Sequence, residues 1–430
     1  MKKFKHNITY IIVCLLLFPM RFLSYKLIHR LGNALGLFIY FSVPHLRNRA
    51  LANLALARDL QLSNADIKKY AKETFQNFAI ICLEFGKLSY EKQISKIATC
   101  ENPSKALEVL EKNKGVIFFS GHQANWEILF LDVTSRMAGT TVGKPLKNSE
   151  IYQKIIKVRE RFGGKVVPPE NASKEALKVL KDNKFFAIVG DQGMPNSGYI
   201  SDFLGRICST SPLPALLSYK TGCPIIVLTS YRKNNHYYIQ YSDPIWPDKN
   251  QPRDQEIKRL MDKTLSILEE SIKENPGQWL WIHNRWKQKV PGTISRKYRL
   301  DSIGFILPLD SLEFKEALKI LHIFRNIYDK EYFIVMVHKS MASSIKIPVN
   351  DIITYEDEKE CFRADYRIKL LVNLTNNDPL SYHYLRFATL ETLNFCGILK
   401  DPSVPENLSL DQRIRYILSR SKRPLQSIKS

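Results

Sequence analysis

Apolar residues are unevenly spread along the 430 residues of this chain. Two uncharged stretches open it, ITYIIVCLLLFPM over 8–20 and LGNALGLFIYFSV over 31–43. Lys2, Lys3 and Lys5 precede the first, and Arg21, Lys26, His29 and Arg30 separate the two. Thirteen helical residues reach only about 20 Å against roughly 30 Å of hydrocarbon, so neither stretch predicts a simple membrane crossing. Pro19, Met20, Arg21 and Phe22 offer no small-residue cleavage site, which argues against a removed signal peptide. Basic residues flanking both stretches predict a shallow or hairpin anchor that leaves the chain on one side of a membrane. An amphipathic helix pair packed on the core is the alternative.

Beyond residue 110 the pattern changes to short apolar runs bounded by Gly, Pro and Asn. These predict strands at about 115–120, 139–143, 165–168, 185–190, 224–230 and 236–241, alternating with helical periodicity such as that of 173–182. The expected class is α/β, a mixed sheet flanked by helices. Past a linker-like stretch containing Pro291 and Gly292, a second α/β pattern follows: strands near 302–308, 332–337 and 368–373, with a helix over 313–329.

With 44% apolar residues the chain can bury a sizeable core. Its net charge of +22 is lopsided: residues 301–430 carry 18 basic and 17 acidic side chains, leaving 46 and 25 to the first 300. Residues 1–58 hold nine Lys or Arg and no acid, a composition that anionic lipid head groups attract. The excess suits a phosphate-rich partner and does not by itself choose among nucleic acid, membrane and acidic substrate. The seven cysteines are scattered and never spaced CxxC, so no zinc site or redox pair is readable.

Candidate chemistry begins where Gly115–Gly121 ends as a strand and His122-Gln-Ala-Asn-Trp-Glu127 opens a helix. Open α/β sheets place ligands outside the carboxyl ends of their strands, so His122 is expected to face a crevice. Glu127, one to two turns on, is expected to return to one imidazole nitrogen and fix the tautomer while the other nitrogen takes a hydroxyl proton. A capped helix start with a satisfied histidine is the bland alternative.

The string GHQANWE resembles the GHxxNWE box of the late lipid A acyltransferases of Gram-negative bacteria, within the glycerolipid acyltransferases. Further features follow in the order of that family. Lys144-Pro-Leu-Lys-Asn148 is similar to its Arg-Pro-x-x-Asn segment, with Lys144 where Arg is usual, so a point charge replaces a bidentate fork. Arg159 and Arg161 precede Gly163-Gly164, and the strand over 185–190 ends in Asp191-Gln192. Phe203-Leu-Gly205 with Thr210 resembles a family loop, and Trp279-Leu-Trp-Ile-His283-Asn-Arg285-Trp-Lys287 resembles its closing motif. Read from the residues, Arg159 could equally be an exposed helix charge, and Asp191 could hold a cation, orient an arginine or line the acceptor site.

The resemblance spans about residues 1–295. It implies a glycerolipid acyltransferase-like fold and transfer of a fatty acyl group from acyl carrier protein to a hydroxyl of a lipid A precursor. His122 would be the general base and Glu127 its orienting partner. Asn125, Trp126, Lys144, Arg159, Asp191, Gln192, His283, Arg285 and Lys287 would bind substrate. It implies no metal, no cofactor and no nucleic-acid partner, and an enzyme on the cytoplasmic face of the inner membrane against an anionic lipid surface. An activated thioester needs no acyl-enzyme, and no GxSxG elbow is present. Another glycolipid or a lysophospholipid as acceptor, and an inactive membrane scaffold, are the alternatives. The expected organisation is an N-terminal membrane anchor over 1–45, an acyltransferase domain over 46–295 and a C-terminal α/β module over 301–430. With Ser381–Gly397 the last resembles the first half of a heptosyltransferase-like glycosyltransferase without its nucleotide-sugar half, and is expected to dock or stabilise.

Overall fold

The computed structural model describes residues 2–420. Helix α1 (Lys2–Leu17) leads through a short 3-10 turn into α2 (Tyr25–Ser42), which is capped by the Ser24 side chain. The buried positions of α2 are Ile28, His29, Gly32, Gly36 and Tyr40, a stripe at helical spacing. The remaining faces of both helices expose Ile8, Ile11, Ile12, Leu15, Leu16, Leu31, Phe38 and Phe41. Among the described residues no helix is long and apolar enough to cross a membrane.

Helix α3 (Pro44–Leu56) follows, and then α4 (Asn64–Leu88), started by a Ser63–Asp66 capping box. The buried stripe of α2 lies on α4, and its two glycines explain the close approach. A Cβ on Gly32 would meet Ile80 Cγ1 at 2.5 Å, and one on Gly36 would strike the Gln76 backbone.

Next come β1 (Ala98–Cys100), α5 (Ser104–Glu111), β2 (Val116–Ser120), α6 (Trp126–Arg136), β3 (Gly139–Val142), α7 (Ser149–Arg159), β4 (Lys165–Val167), α8 (Ala172–Lys181) and β5 (Phe185–Val189). After them run the hairpin β6 (Tyr199–Phe203) and β7 (Arg206–Thr210), α9 (Leu213–Thr221), β8 (Ile225–Lys233), β9 (His236–Tyr241) and α10 (Arg253–Glu274). Seven strands form one sheet in the order β1-β9-β8-β2-β5-β3-β4, parallel except for the β8–β9 hairpin. That hairpin turns through Asn234 and Asn235, both at positive φ as a tight two-residue connection requires. Val-Ile-Phe-Phe-Ser of β2 is buried throughout because a central parallel strand is covered on both faces.

All six strands expected in this region are present, and β1, β6 and β7 are additional. The β6–β7 hairpin occupies what the sequence presented as a loop around Phe203-Leu-Gly205. Leu204 at φ 54° and Gly205 at φ 76° make its turn.

The remainder is β10 (Ser302–Ile306), α11 (Ser311–Ile327), β11 (Tyr332–His338), β12 (Asp351–Tyr355), β13 (Leu370–Asn373), α12 (Asp378–Leu385), β14 (Glu391–Asn394), α13 (Phe395–Leu399) and α14 (Leu410–Ser419). Its five strands are all parallel in the order β12-β11-β10-β13-β14, a doubly wound arrangement. The three expected strands and the helix are there; β12 and β14 are additional.

Two compact units result. One comprises residues up to Val43 together with Asp59–Arg285, the other Pro44–Arg58 together with residues from Trp286 onward. The expected continuous 46–295 domain is therefore interrupted, because α3 packs into the C-terminal unit. Leu56 joins a core with Ile306, Ile334 and Leu371, and the buried Lys369 Nζ donates to Asn53 Oδ1 and Asp301 Oδ1, both at 2.6 Å. A buried ammonium must be paired, so Asn53 fixes α3 to this unit.

Candidate active site

Strands β2 and β5 are adjacent and parallel, with Ser120 opposite Val189, so their carboxyl ends deliver His122 and Asp191 to the same level. Asp191 Oδ1 accepts from His122 Nδ1 at 2.6 Å, and Oδ2 accepts from the His122 backbone N–H at 2.7 Å and from Trp279 Nε1 at 2.8 Å. Gly121 makes room, since a Cβ there would lie 2.9 Å from Asp191 Oδ2. Asp191 is fully buried. Burial works to raise its pKa, but the His122 ring and N–H, with His283, hold the carboxyl well below the usual carboxylate range. A buried anion on Nδ1 fixes the tautomer that leaves Nε2 as the basic nitrogen. Nε2 lies 3.4 Å from the Gln192 carboxamide nitrogen, on an exposed side chain.

Glu127 does not meet the imidazole. Its oxygens accept from Arg159 Nε at 2.7 Å and Nη2 at 2.6 Å, and Oε1 also accepts from Trp126 Nε1 at 3.0 Å. Asn125 explains the direction: it is the N-cap of α6, its Oδ1 accepting from the Glu127 and Ile128 N–H groups, and this start turns Glu127 towards α7. The expected His122–Glu127 contact is thus replaced by His122–Asp191, with Glu127–Arg159 as a separate, partly shielded ion pair.

The other expected residues divide sharply. Trp126 is half-buried, its ring edge-on to His122 with centroids 4.9 Å apart. The His283 ring lies 5.5 Å from that of His122, with Nδ1 on the Leu280 carbonyl at 2.5 Å. Burial, against the pull of Asp191, lowers the His283 pKa to about 4, so this ring is neutral near pH 7. Asn125 is wholly buried and directed at backbone and Glu84 rather than at a crevice. Arg285 is also wholly buried; its Nη2 donates to Thr210 Oγ1 at 2.7 Å and its guanidinium stacks 4.5 Å over Phe203. It ties the closing motif to the β6–β7 hairpin. Lys144 is exposed on the loop after β3, and Lys287 is exposed within the C-terminal unit.

Three supporting residues escaped the sequence reading. Trp279 stood in the closing motif without its role on Asp191. Asn77 and Glu84 lie on α4, where Asn77 Nδ2 donates to the Ala124 carbonyl at 2.9 Å and Glu84 Oε2 accepts from Asn125 Nδ2 at 2.6 Å. The signal for Glu84 was present: a lone acid inside the apolar run FAIICLEFG.

Residues 1–288 match the family model described as bacterial lipid A biosynthesis acyltransferase. A phosphatidylinositol mannoside acyltransferase of Mycobacterium tuberculosis (strain H37Rv) is 20% identical over 177 residues, 40% of this chain and 54% of that protein. The chain thus spans about half the length of that curated relative. The lipid A biosynthesis palmitoleoyltransferase of Escherichia coli (strain K12) is 24% identical over 288 residues, 64% of this chain and 89% of that protein. His122, Asp191, Gln192, Trp279 and His283 all fall inside the matched span, and the chain belongs to the family of bacterial lipid A biosynthesis acyltransferases.

Proposed function

We propose that the protein transfers a fatty acyl group from a thioester, carried by acyl carrier protein, to a hydroxyl of a lipid A precursor. The observation that carries this reading is the His122 imidazole, held through Nδ1 by a fully buried aspartate with Nε2 directed away from it. Nε2 takes the acceptor hydroxyl proton as that oxygen attacks the thioester carbonyl carbon, and Asp191 stabilises the imidazolium. On collapse the C–S bond breaks, and the imidazolium returns the proton to the leaving thiolate. The exposed Gln192 carboxamide, 3.4 Å from Nε2, is a side-chain donor beside the reacting atoms for the developing oxyanion. Arg159 and Glu127 brace the first turn of α6, a positioning role rather than the base-orienting one expected of Glu127.

The relatives act on glycolipids by their names, a lipid A and a phosphatidylinositol mannoside, and the positive charge of the first 300 residues suits phosphorylated acceptors and an acidic carrier protein. The apolar exposed faces of α1 and α2, with nine cations and no acid in residues 1–58, support a monotopic seat on the cytoplasmic face of the inner membrane. Comparing lipid A by mass spectrometry in cells carrying the wild-type chain or His122→Ala tests the reading. An acyl increment present only with wild type is expected. An increment that survives His122→Ala would overturn the mechanism, and an unchanged lipid A alongside an acylated phosphatidylinositol mannoside would move the acceptor to that class.

A further inference from the structure

Behind the His122 loop lies a buried polar network that the acyl-transfer steps do not use. Its centre is Glu84 of α4, which has no exposed surface. Oε2 accepts from Asn125 Nδ2 at 2.6 Å and from the Tyr237 hydroxyl at 2.9 Å, while Oε1 accepts from His29 Nε2 at 2.5 Å. His29 belongs to α2, and its Nδ1 lies 2.9 Å from Asn235 Oδ1 in the β8–β9 turn. Arg232 Nη1 closes the circle, donating to Asn77 Oδ1 at 2.8 Å and to the Tyr237 hydroxyl at 3.1 Å. A buried carboxylate with donors on both oxygens has few alternative arrangements, because moving any partner leaves a charge unpaired in a dry interior.

The consequence runs through Asn125. With its amide nitrogen held by Glu84, its carbonyl oxygen is left to cap α6, and that cap fixes the turn from His122 to Trp126. We infer that Glu84 and His29 are positioning residues for acyl transfer. Glu84 sets the Asn125 cap and thereby the His122 loop, and His29 makes helix α2 part of the active-site support rather than a detachable tether. The inference rests on His122 being the general base. A loop displaced by a fraction of an ångström changes the alignment of Nε2 with the hydroxyl far more than it changes substrate affinity, so the effect belongs in kcat.

The test uses full-length protein in detergent, with a palmitoyl acyl carrier protein thioester as donor and a purified lipid A precursor as acceptor. Glu84→Gln is expected to lower kcat about 10- to 100-fold with KM within twofold. Asn125→Asp alone sets two carboxylates against each other and is expected to lose activity as well. The pair Glu84→Gln with Asn125→Asp exchanges donor and acceptor: the carboxylate introduced on the loop still caps α6 while accepting from the carboxamide introduced on α4, and the Tyr237 hydroxyl turns to accept from the same carboxamide nitrogen. This double variant is expected to recover at least tenfold over either single change. His29→Gln is expected to lower kcat with KM unchanged. Wild-type kcat in Glu84→Gln, or a double variant no better than the worse single, overturns the inference. If Glu84→Gln does not fold, the double variant is compared with Asn125→Asp: a kcat at least tenfold higher in the double variant supports the inference, and a smaller gain overturns it. His122→Ala measured in parallel separates the two ideas: loss there with no effect of Glu84→Gln removes only the positioning role, whereas full activity there removes the base.

Discussion

The sharpest consequence of the site geometry concerns Asp191→Asn. Asp191 Oδ2 accepts two hydrogen bonds, from the His122 N–H and Trp279 Nε1, whereas Oδ1 accepts one, from His122 Nδ1. An asparagine there will set its oxygen against the two fixed donors, because the reverse leaves two buried N–H groups facing an NH2. Its NH2 then faces His122 Nδ1 and turns that nitrogen into an acceptor. The ring proton moves to Nε2, where the base is required, and the anion that would stabilise an imidazolium is gone. Loss of both tautomer and counter-charge is worth about 10³ to 10⁴ in kcat, roughly 4–5.5 kcal/mol of barrier. Glu127→Gln, by contrast, removes a partner of Arg159 and never touches the imidazole, so it is expected to cost stability, about 2–3 kcal/mol for this partly shielded pair, and far less in turnover of the folded fraction. The assay is initial-rate transfer of labelled palmitate at saturating donor and acceptor, with folded fraction from near-UV circular dichroism and melting temperature from calorimetry. Asp191→Asn within tenfold of wild type, with Glu127→Gln down a thousandfold and fully folded, would refute the assignment and restore the dyad expected from the sequence.

Three further expectations concern the scaffold. A chain ending near Arg296 leaves α3 without Lys369 and the rest of its core, so it is expected to aggregate on size exclusion at concentrations where the full chain elutes as a single peak; a monodisperse, active truncation would show that the first unit is self-sufficient. Gly36→Leu forces a side chain into the Gln76 and Phe75 backbone, and a loss of about 1–3 kcal/mol or more is expected in thermal melts, with activity falling as α2 lifts from α4. Glu331 is buried, its Oε1 has no partner among the described residues, and burial raises its pKa from 4.5 to about 7. Its proton therefore favours the folded state below about pH 4.5, and that advantage disappears as pH rises through about 7. Glu331→Gln is expected to leave the melt at pH 4.5 unchanged and to stabilise at pH 8 by about 3 kcal/mol, which melts at the two pH values will check.

Much of the architecture is written locally. The apolar run of β2 ending at Gly121, the alternation of strands and helices through residue 241 and the three strands and helix of the tail were legible because a strand or helix is specified by period and punctuation within five to fifteen residues. The strand-to-helix junction at His122 was legible for the same reason, whereas the closing motif around His283 stood out only through the resemblance to a family. What the sequence could not decide is which groups meet. Glu127 is five residues from His122 and Asp191 is 69, yet Asp191 holds the imidazole, since the pairing of β2 with β5 brings two strand ends level while the Asn125 cap turns Glu127 away. Asn125 and Arg285, expected to touch substrate, are interior; Glu84, marked locally only as a lone acid in an apolar run, and Trp279 have partners that their local sequence does not announce. The assignment of α3 to the C-terminal unit depends likewise on Asn53 reaching Lys369, 316 residues away. Backbone periodicity is a property of neighbours along the chain. The partner of a buried charge is chosen by whichever donor or acceptor the packed fold brings within about 3 Å, because an unpaired charge in the interior costs several kcal/mol, and that choice exists only in three dimensions.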